Sequence, residues 1–535
     1  MQHPYQTLTL SEKVAQLFML GYEGLSPNPI THRFLERGLG GLIFFRDNFD
    51  TLPQQTPLAV AQLMADFTAR IPAHLPAPLL GIDQEGGQVE RLPHTLFPTA
   101  LTPRAVALAN QPDDLAETMY RQLAQNLLSV GLNLDFFPTL DVNFQPNNPI
   151  IGVRSFGDDA QTVWRFSKIA LQAFQQAGLI AVGKHFPGHG NGTVDSHLDL
   201  PTLHFTAEEL WPFQQAVEAG LPVMLVAHGY YPALQTTAEE QKLPASASPA
   251  ILQGLLRQQC GFQGVIITDD MCMGAITKHR SPVEAALASL KAGVDILLYK
   301  QSTEAEWDVY EAVIHAFESG QLPMSQLEES LQRIAALKSR YLKPFSAQTI
   351  TLTSQQCAQQ AALTAERGIT ELAGKADLLP LAPQAPCLLI HPERDSMGNY
   401  AFDAPTSPAL NLLFEQAGFS MLQSLSYPPK QAFSAAAISE KIGVAPEVIV
   451  FVSFNPLIYT SQADLYEVLR RQYPTTPIIL ASAGTAYDRQ SLSEPDLHLS
   501  LCSYRPATMQ ALATLMATGF SAEAQVAASQ PVRQA

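Results

Sequence analysis

The chain has 535 residues, of which 46% are hydrophobic and 15% charged, so it can bury large cores and should form more than one domain. Its 32 basic and 49 acidic residues give a net charge of −17, which disfavours nucleic acid and anionic lipid surfaces as partners. The five cysteines lack the C-x-x-C spacing of zinc and redox motifs, and this indicates reduced thiols.

Targeting segments are not evident in the sequence. The N-terminus has no basic stretch followed by an apolar core and a small-residue cleavage site, as a signal peptide would. No window reaches the roughly 20 apolar residues of a membrane span. We therefore expect a cytoplasmic protein without a membrane span.

Apolar segments of strand character alternate with segments of helical period over residues 10 to 342. Strands are predicted at 41–45, 79–83, 132–138, 180–184, 223–227, 265–269 and 295–299. Helices are predicted at 117–130, 162–176, 207–219, 249–259, 282–291, 304–318 and 324–341. This alternation, with polar residues at the strand ends, favours an α/β fold of the (β/α)₈ TIM-barrel type. An open doubly wound sheet is the alternative, because periodicity alone does not show closure.

A second α/β pattern follows a proline-containing stretch at 342–346. Its strands are predicted at 387–391, 448–452, 478–481 and 497–501, and its helices at 409–417, 464–472 and 508–518. The sequence therefore predicts a TIM-barrel domain over residues 1–342 and a smaller C-terminal α/β sandwich domain over residues 346–535.

Charged side chains collect at the predicted strand ends, which a barrel brings to one mouth. They include Asp83, Arg91, Arg154, Lys184 and His185. Carboxylates that accept and cations that donate hydrogen bonds suit a polyhydroxylated ligand such as a sugar. Glu85 and Asp141 are explained equally well as buried partners of basic side chains.

Asp269 is the clearest candidate nucleophile, because the apolar strand at 265–269 delivers it to the barrel mouth. Asp195 and His197 follow a glycine-rich loop, and in extended chain they share one face, so the carboxylate can orient the imidazole for proton transfer. A metal site is the competing interpretation, since His185, His189, Asp195 and His197 are ordinary zinc-ligand types. The stretch lacks an H-E-x-x-H motif or a compact carboxylate cluster, so we predict no metal and read His189 as part of the loop structure.

Five motifs in this first part stand in a recognisable order. They are IDQEGGQVERL at 82–92, LDFFPTLDVN at 134–143, GVRSFG at 152–157, GKHFPGHG at 183–190 followed by DSH at 195–197, and ITDDMCM at 267–273. In these motifs the chain resembles the family 3 glycoside hydrolases, and within them the bacterial β-N-acetylhexosaminidase branch.

The resemblance implies a retaining exo-β-N-acetylglucosaminidase with no cofactor and no metal, acting on peptidoglycan fragments or chitin oligosaccharides. By resemblance, Asp269 is the nucleophile and His197 the acid/base, with Asp195 as its partner. The same resemblance assigns sugar binding to Asp83, Arg91, Arg154, Lys184 and His185.

Three other functions stay open from the sequence. A β-glucosidase would use the same barrel, although that branch usually lacks the loop with Asp195 and His197. A phosphorylase would release sugar 1-phosphate, because a histidine acid/base leaves the site less negative toward phosphate. A carbohydrate-binding protein would keep the groove without turnover. The sequence gives no prediction of oligomeric state.

Overall fold

A computed structural model of the chain describes residues 5–50, 52–54, 56–93, 96–97, 101–109, 112–192, 199–345, 354–393 and 410–520. The strands of its first part are β1 (Phe18–Leu20), β2 (Gly41–Phe44), β3 (Leu79–Ile82), β4 (Gln84–Gly86), β5 (Val89–Glu90), β6 (Leu134–Asp135), β7 (Ile180–Phe186), β8 (Val223–Val226), β9 (Val265–Asp270) and β10 (Ile296–Tyr299). Eight of them are parallel and close into a barrel in the order β1–β2–β3–β6–β7–β8–β9–β10, while β4 and β5 form a separate hairpin after β3. The predicted barrel is confirmed.

Helices surround the barrel. They are α1 (Leu10–Ala15), α2 (Pro29–Glu36), α3 (Asp47–Asp50), α4 (Pro57–Ala69), α5 (Pro103–Leu108), α6 (Pro112–Ser129), α7 (Ala160–Ala177), α8 (Ala207–Glu218), a π-helix (Ala250–Gln259), α9 (Gly274–Thr277), α10 (Pro282–Ala292), α11 (Glu304–Glu318) and α12 (Met324–Tyr341). Side-chain caps fix where several of them begin: the Asp159 carboxylate accepts from the Thr162 N–H at the start of α7, and the Thr206 hydroxyl accepts from the Glu209 N–H at the start of α8. Gly178, in the left-handed region at φ +88°, ends α7.

Two barrel strands differ from the sequence prediction. The strand β1 was not predicted, because its three apolar residues follow α1 almost directly and read as a continuation of that helix. The predicted strand at 132–138 is reduced to Leu134–Asp135. Single backbone hydrogen bonds to the neighbouring strands continue beyond it, from the Phe136 N–H to the Ile82 carbonyl and from the Lys184 N–H to the Pro138 carbonyl.

The second part of the chain contains one six-stranded sheet. Its strands are β11 (Thr370–Gly374), β12 (Cys387–Pro392), β13 (Leu422–Tyr427), β14 (Val448–Ser453), β15 (Ile478–Ser482) and β16 (Leu497–Ser500), in the order β11–β16–β15–β14–β12–β13. Only β11 is antiparallel to its neighbour. The helices are α13 (Ser354–Gly368), α14 (Leu410–Gln416), α15 (Ala435–Ser439), α16 (Ser461–Gln472) and α17 (Pro506–Thr518).

Alternate residues of this sheet point into two different cores. Leu389 and Val450 belong to one buried cluster, whereas their neighbours Leu388 and Ile449 belong to the other. A strand buried on both faces must be apolar throughout, which is why these segments read as continuous apolar runs. The α/β class of this part is confirmed, with β11 and β13 added to the predicted strands. The boundary at 342–346 stays a prediction.

The sheet domain, defined here as residues 354–520, packs against the barrel. The Thr102 hydroxyl donates to the Cys502 carbonyl at 2.9 Å, and the Tyr487 hydroxyl donates to Asp158 at 3.2 Å. Arg367 pairs with Asp114 at 2.9 Å. Among the described helices, none combines the length and the apolar character needed to traverse a bilayer.

Candidate active site

The carboxyl ends of the barrel strands surround a cavity of about 170 Å³. Six of the eight residues predicted for the site line it: Asp83, Arg91, Arg154, Lys184, His185 and Asp269. The other two, Asp195 and His197, lie outside the described residues, in the gap between 192 and 199. The barrel therefore brings together side chains from β7 and β9 and from the segments that follow β3, β5 and β6.

A buried cluster of ions forms one wall of the cavity. The Lys184 ammonium lies 2.7 Å from Asp83 Oδ1 and 2.5 Å from Glu85 Oε1. Arg154 donates to the same Glu85 carboxylate from two nitrogens, at 2.8 and 2.7 Å. Burial by itself would raise the pKa of Glu85, but Arg154 and Lys184 hold it well below its usual value. Glu85 is thus a fixed anion that orients both cations.

Asp141 fixes His185 and the start of the following loop. Its Oδ2 accepts from His185 Nδ1 at 2.7 Å and from the His185 backbone N–H at 3.1 Å, while its Oδ1 accepts from the His189 N–H at 2.7 Å. Although burial opposes it, contact with His185 and His189 lowers the pKa of Asp141. Arg154 lies 3.1 Å from His185 Nε2 and can only donate, so we assign the His185 proton to Nδ1.

The two aspartates at the end of β9 have different surroundings. Asp269 lines the cavity, and its Oδ1 accepts from the Asp270 N–H at 2.8 Å. Asp270 also borders the cavity, but its Oδ1 accepts from the N–H groups of Cys272 and Lys300, both at 3.0 Å. Asp270 therefore ties down the turn after the strand, whereas the Asp269 carboxylate lines the cavity at the end of β9. Burial raises the pKa of Asp270.

His189 is a cavity residue, which differs from its interpretation as loop structure alone. Its side chain lines the cavity, is only 3% exposed, and its ring centroid lies 6.3 Å from that of His185. Neither ring nitrogen has a hydrogen-bond partner in the part of the chain that the structure describes. Burial lowers its pKa to about 4, so the imidazole is neutral at physiological pH.

Glu209 anchors the loop segment at Gly190 and Asn191, and no sequence motif pointed to it. Its carboxylate accepts from the Gly190 N–H at 3.1 Å and from the Asn191 side chain at 3.0 Å. The residue is fully buried in α8, and burial raises its pKa to about 8. Glu85 and Asp141 lie in motifs that stand out in the sequence. Glu209 lies in the first turn of α8, where an acidic side chain is favourable in any helix, so its position carries no specific signal.

Glu209→Gln is expected to flatten the dependence of stability on pH. A carboxyl group whose folded pKa is raised binds more protons in the folded than in the unfolded state, so stability falls as pH rises from about 4.3 toward the folded value. A pKa difference of one corresponds to about 1.4 kcal/mol. Ionisation of Glu209 should therefore lower the free energy of unfolding by a few kcal/mol between about pH 4.3 and about pH 8. Urea unfolding across this range measures it. Glu208→Gln, at the exposed neighbour, should keep the wild-type slope.

Metal binding finds no further support in the geometry. Within the described ranges, no group of three or more His, Cys, Asp or Glu side chains is arranged to hold a metal ion. Of the zinc-ligand types noted in the sequence, His185 is engaged by Asp141 and Arg154, whereas Asp195 and His197 lie outside the described residues. The predicted absence of a metal stays a prediction.

Comparison with known proteins identifies close relatives of both parts of the chain. The model of the glycosyl hydrolase family 3 N-terminal domain matches residues 9–337. A β-hexosaminidase A of Pseudoalteromonas piscicida is 34% identical over 381 residues, which is 66% of this chain and 63% of that protein, just under two thirds of its length. A β-hexosaminidase of Thiobacillus denitrificans is 36% identical over 271 residues, covering 49% of this chain and 71% of the relative.

The solved structures extend the likeness to the whole chain. A family 3 β-N-acetylglucosaminidase of Paenibacillus sp. matches with a TM-score of 0.85 and 31% identity, over 97% of this chain and 98% of that one. The barrel and the sheet domain therefore occur together in that protein.

Proposed function

The chain belongs to glycoside hydrolase family 3, and from this membership and its cavity we propose that it is a retaining exo-β-N-acetylglucosaminidase. The observation that carries the proposal is the placement of the Asp269 carboxylate in one cavity with Asp83 and the predicted sugar-binding side chains Arg91, Arg154, Lys184 and His185. A retaining glycosidase requires a carboxylate nucleophile beneath the anomeric carbon, and a polar wall that holds the sugar against it.

The proposed sugar-binding residues divide into acceptors and donors. Asp83 accepts hydrogen bonds from hydroxyl groups, and its ion pair with Lys184 orients it. Arg91, Arg154 and Lys184 donate to sugar oxygens. The cluster around Glu85 is satisfied before any ligand enters, so the wall is preorganised and binding requires little rearrangement.

The proposed reaction has two steps. In the first, Asp269 attacks the anomeric carbon and forms a glycosyl ester, while His197 gives its proton to the departing glycosidic oxygen. In the second, water attacks the same carbon, His197 takes the proton from that water, and the Asp269 carboxylate is released. Asp195 orients His197 in both steps. The roles of Asp195 and His197 rest on the sequence motif.

The sugar preference is supported by the relatives. The Pseudoalteromonas and Thiobacillus proteins bear the name β-hexosaminidase, and the Paenibacillus protein is described as a β-N-acetylglucosaminidase. We propose terminal β-linked N-acetylglucosamine as the glycone, and peptidoglycan fragments or chitin oligosaccharides as the natural substrates.

A product assay on matched substrates tests the proposal. We expect the purified chain to hydrolyse an aryl β-N-acetylglucosaminide far faster than the aryl β-glucoside, and to release free N-acetylglucosamine from chitobiose or from N-acetylglucosaminyl-anhydromuramyl peptide. Added phosphate should not change the product. Preference for the glucoside would identify a β-glucosidase, formation of sugar 1-phosphate a phosphorylase, and binding without turnover a carbohydrate-binding protein.

A further inference from the structure

The tip of the hairpin formed by β4 and β5 is held by the sheet domain. Arg505, the residue before α17, donates from Nε to the Gly87 carbonyl and from a terminal nitrogen to the Gln88 carbonyl, the latter at 3.3 Å. Its Nε also lies 3.8 Å from Glu90 Oε2, and the two side chains are 1% and 2% exposed. A fully buried arginine that donates to backbone carbonyls of another domain fixes the position of that backbone.

The hairpin tip is closely packed at Gly87. Gly87 has φ +58°, and a Cβ atom there would lie 2.1 Å from Cγ2 of Thr102. The Thr102 hydroxyl in turn donates to the Cys502 carbonyl, three residues before Arg505. The tip is therefore enclosed between the start of α5 and the sheet-domain segment 502–505.

The base of the hairpin is attached to the barrel instead. The Gln84 N–H donates to Asp135 Oδ1 at 2.9 Å, and the Gln84 side-chain oxygen accepts from the N–H groups of Arg91 and Leu92 at 2.9 and 3.1 Å. Asp83 precedes the hairpin and Arg91 follows it, so both cavity residues lie at this base.

Glu85 connects the hairpin to the basic side chains of the cavity wall. It belongs to β4, and its carboxylate holds Arg154 and Lys184. A two-stranded hairpin is marginally stable by itself, so its orientation depends on what holds its two ends. A shift of the tip would move Glu85, Arg91 and the basic side chains that Glu85 orients.

We propose that Arg505 is a positioning residue of the active site, through which the sheet domain holds the β4–β5 hairpin and so sets the positions of Asp83, Glu85 and Arg91. This inference rests on the proposed function, because it assumes that these residues bind the sugar. Arg505 touches neither the cavity nor a reacting atom, and acts through the backbone of the hairpin.

Two variants separate this role from a general loss of folding. Arg505→Lys keeps a positive charge beside Glu90 but lacks the planar fork that reaches two carbonyls. The double variant Arg505→Met with Glu90→Gln removes both charges together, which avoids leaving one buried ion unpaired. The matched control is Leu469→Ala, which opens a void in the sheet-domain core around Ile449 and Leu480, away from the hairpin.

Steady-state kinetics on the aryl β-N-acetylglucosaminide gives the decisive comparison. Misplaced binding groups weaken ground and transition states alike, so we expect KM to rise about tenfold or more in the double variant with a smaller change in kcat, and Arg505→Lys to fall between it and the wild type. A purely structural role would lower the active fraction, and hence the apparent kcat, at unchanged KM. Leu469→Ala should show that second pattern.

Amide hydrogen exchange gives a readout that does not depend on substrate. Exchange in residues 84–91 should accelerate in the double variant and stay at the wild-type rate in Leu469→Ala. Unchanged KM and unchanged exchange in the double variant would overturn the role of Arg505, as would equal changes in Leu469→Ala. Failure of the proposed function would show differently, as absence of turnover in the wild type.

Discussion

Asp269→Asn is expected to lower kcat/KM on an aryl β-N-acetylglucosaminide by about 10⁴-fold or more. An amide cannot form the glycosyl ester, so the first step loses its nucleophile, and the loss of a covalent catalyst typically costs several orders of magnitude. The substitution preserves shape, and the hydrogen bond from the Asp270 N–H to the side-chain oxygen can persist, so folding should be retained. Initial rates measure the loss of kcat/KM, and circular dichroism measures whether folding is retained.

Asp270→Asn is the matched control for this experiment. Asp270 accepts from two backbone N–H groups in the turn after β9, and an asparagine oxygen can accept the same bonds, so we expect less than about a tenfold loss of activity. A fluorinated substrate analogue should leave a covalent adduct that mass spectrometry maps to Asp269. Near-normal turnover in Asp269→Asn, or an adduct on another residue, would contradict the nucleophile assignment.

Leaving-group dependence distinguishes the two catalytic assignments. His197→Ala removes the proposed proton donor of the first step, so its loss of kcat/KM, which reports that step, should be greatest for substrates with poor leaving groups and small for activated aryl glycosides. Asp269→Asn should impair every substrate. A similar loss on both substrate types in His197→Ala would argue against an acid role for this histidine.

Glu85→Gln is expected to lower the free energy of unfolding by about 3 kcal/mol or more and to abolish sugar binding. The buried carboxylate pairs with two buried cations, so removing its charge leaves Arg154 without this carboxylate partner and leaves Lys184 with Asp83 alone. Denaturant unfolding and calorimetric titration with N-acetylglucosamine measure the two effects.

Glu328→Gln applies the same chemical change to an exposed pair. Glu328 lies 2.7 Å from Lys13 but is 40% exposed, so its loss should cost no more than about 1 kcal/mol. Because the folded pKa of Glu85 is lowered, its stabilising effect is present above the unfolded pKa of about 4.3 and is lost as pH falls below it. The difference between wild type and Glu85→Gln should therefore shrink in acid, and a difference independent of pH would refute the charge argument.

The sequence predicted those parts of the molecule whose signals are local. Strand ends carrying Asp83, Lys184 and Asp269 were visible because each follows a short apolar run, and a barrel necessarily brings such ends together. The strand β1 was not visible, since three residues are too few to show a period of two. The residues that support the site were harder to recognise than those that line it.

Long-range partners explain the rest of what the sequence could not show. Glu209 meets Gly190 across 19 residues, and Arg505 meets Gly87 across 418. A periodic pattern contains no information about such contacts, and an arginine before a proline-initiated helix has no local signature. Asp195 and His197 stay predictions from their motif.

The arrangement of the hairpin between two anchors limits how the two halves of such a protein can be exchanged. A chimera that joins this barrel to a foreign sheet domain would place a different residue opposite the Gly87 and Gln88 carbonyls and would leave Glu90 without its buried cation. Recombination at the predicted boundary, 342–346, therefore has to keep the hairpin tip matched to the segment around Arg505. The residues that have to be exchanged together for this site therefore lie in both the barrel and the sheet domain.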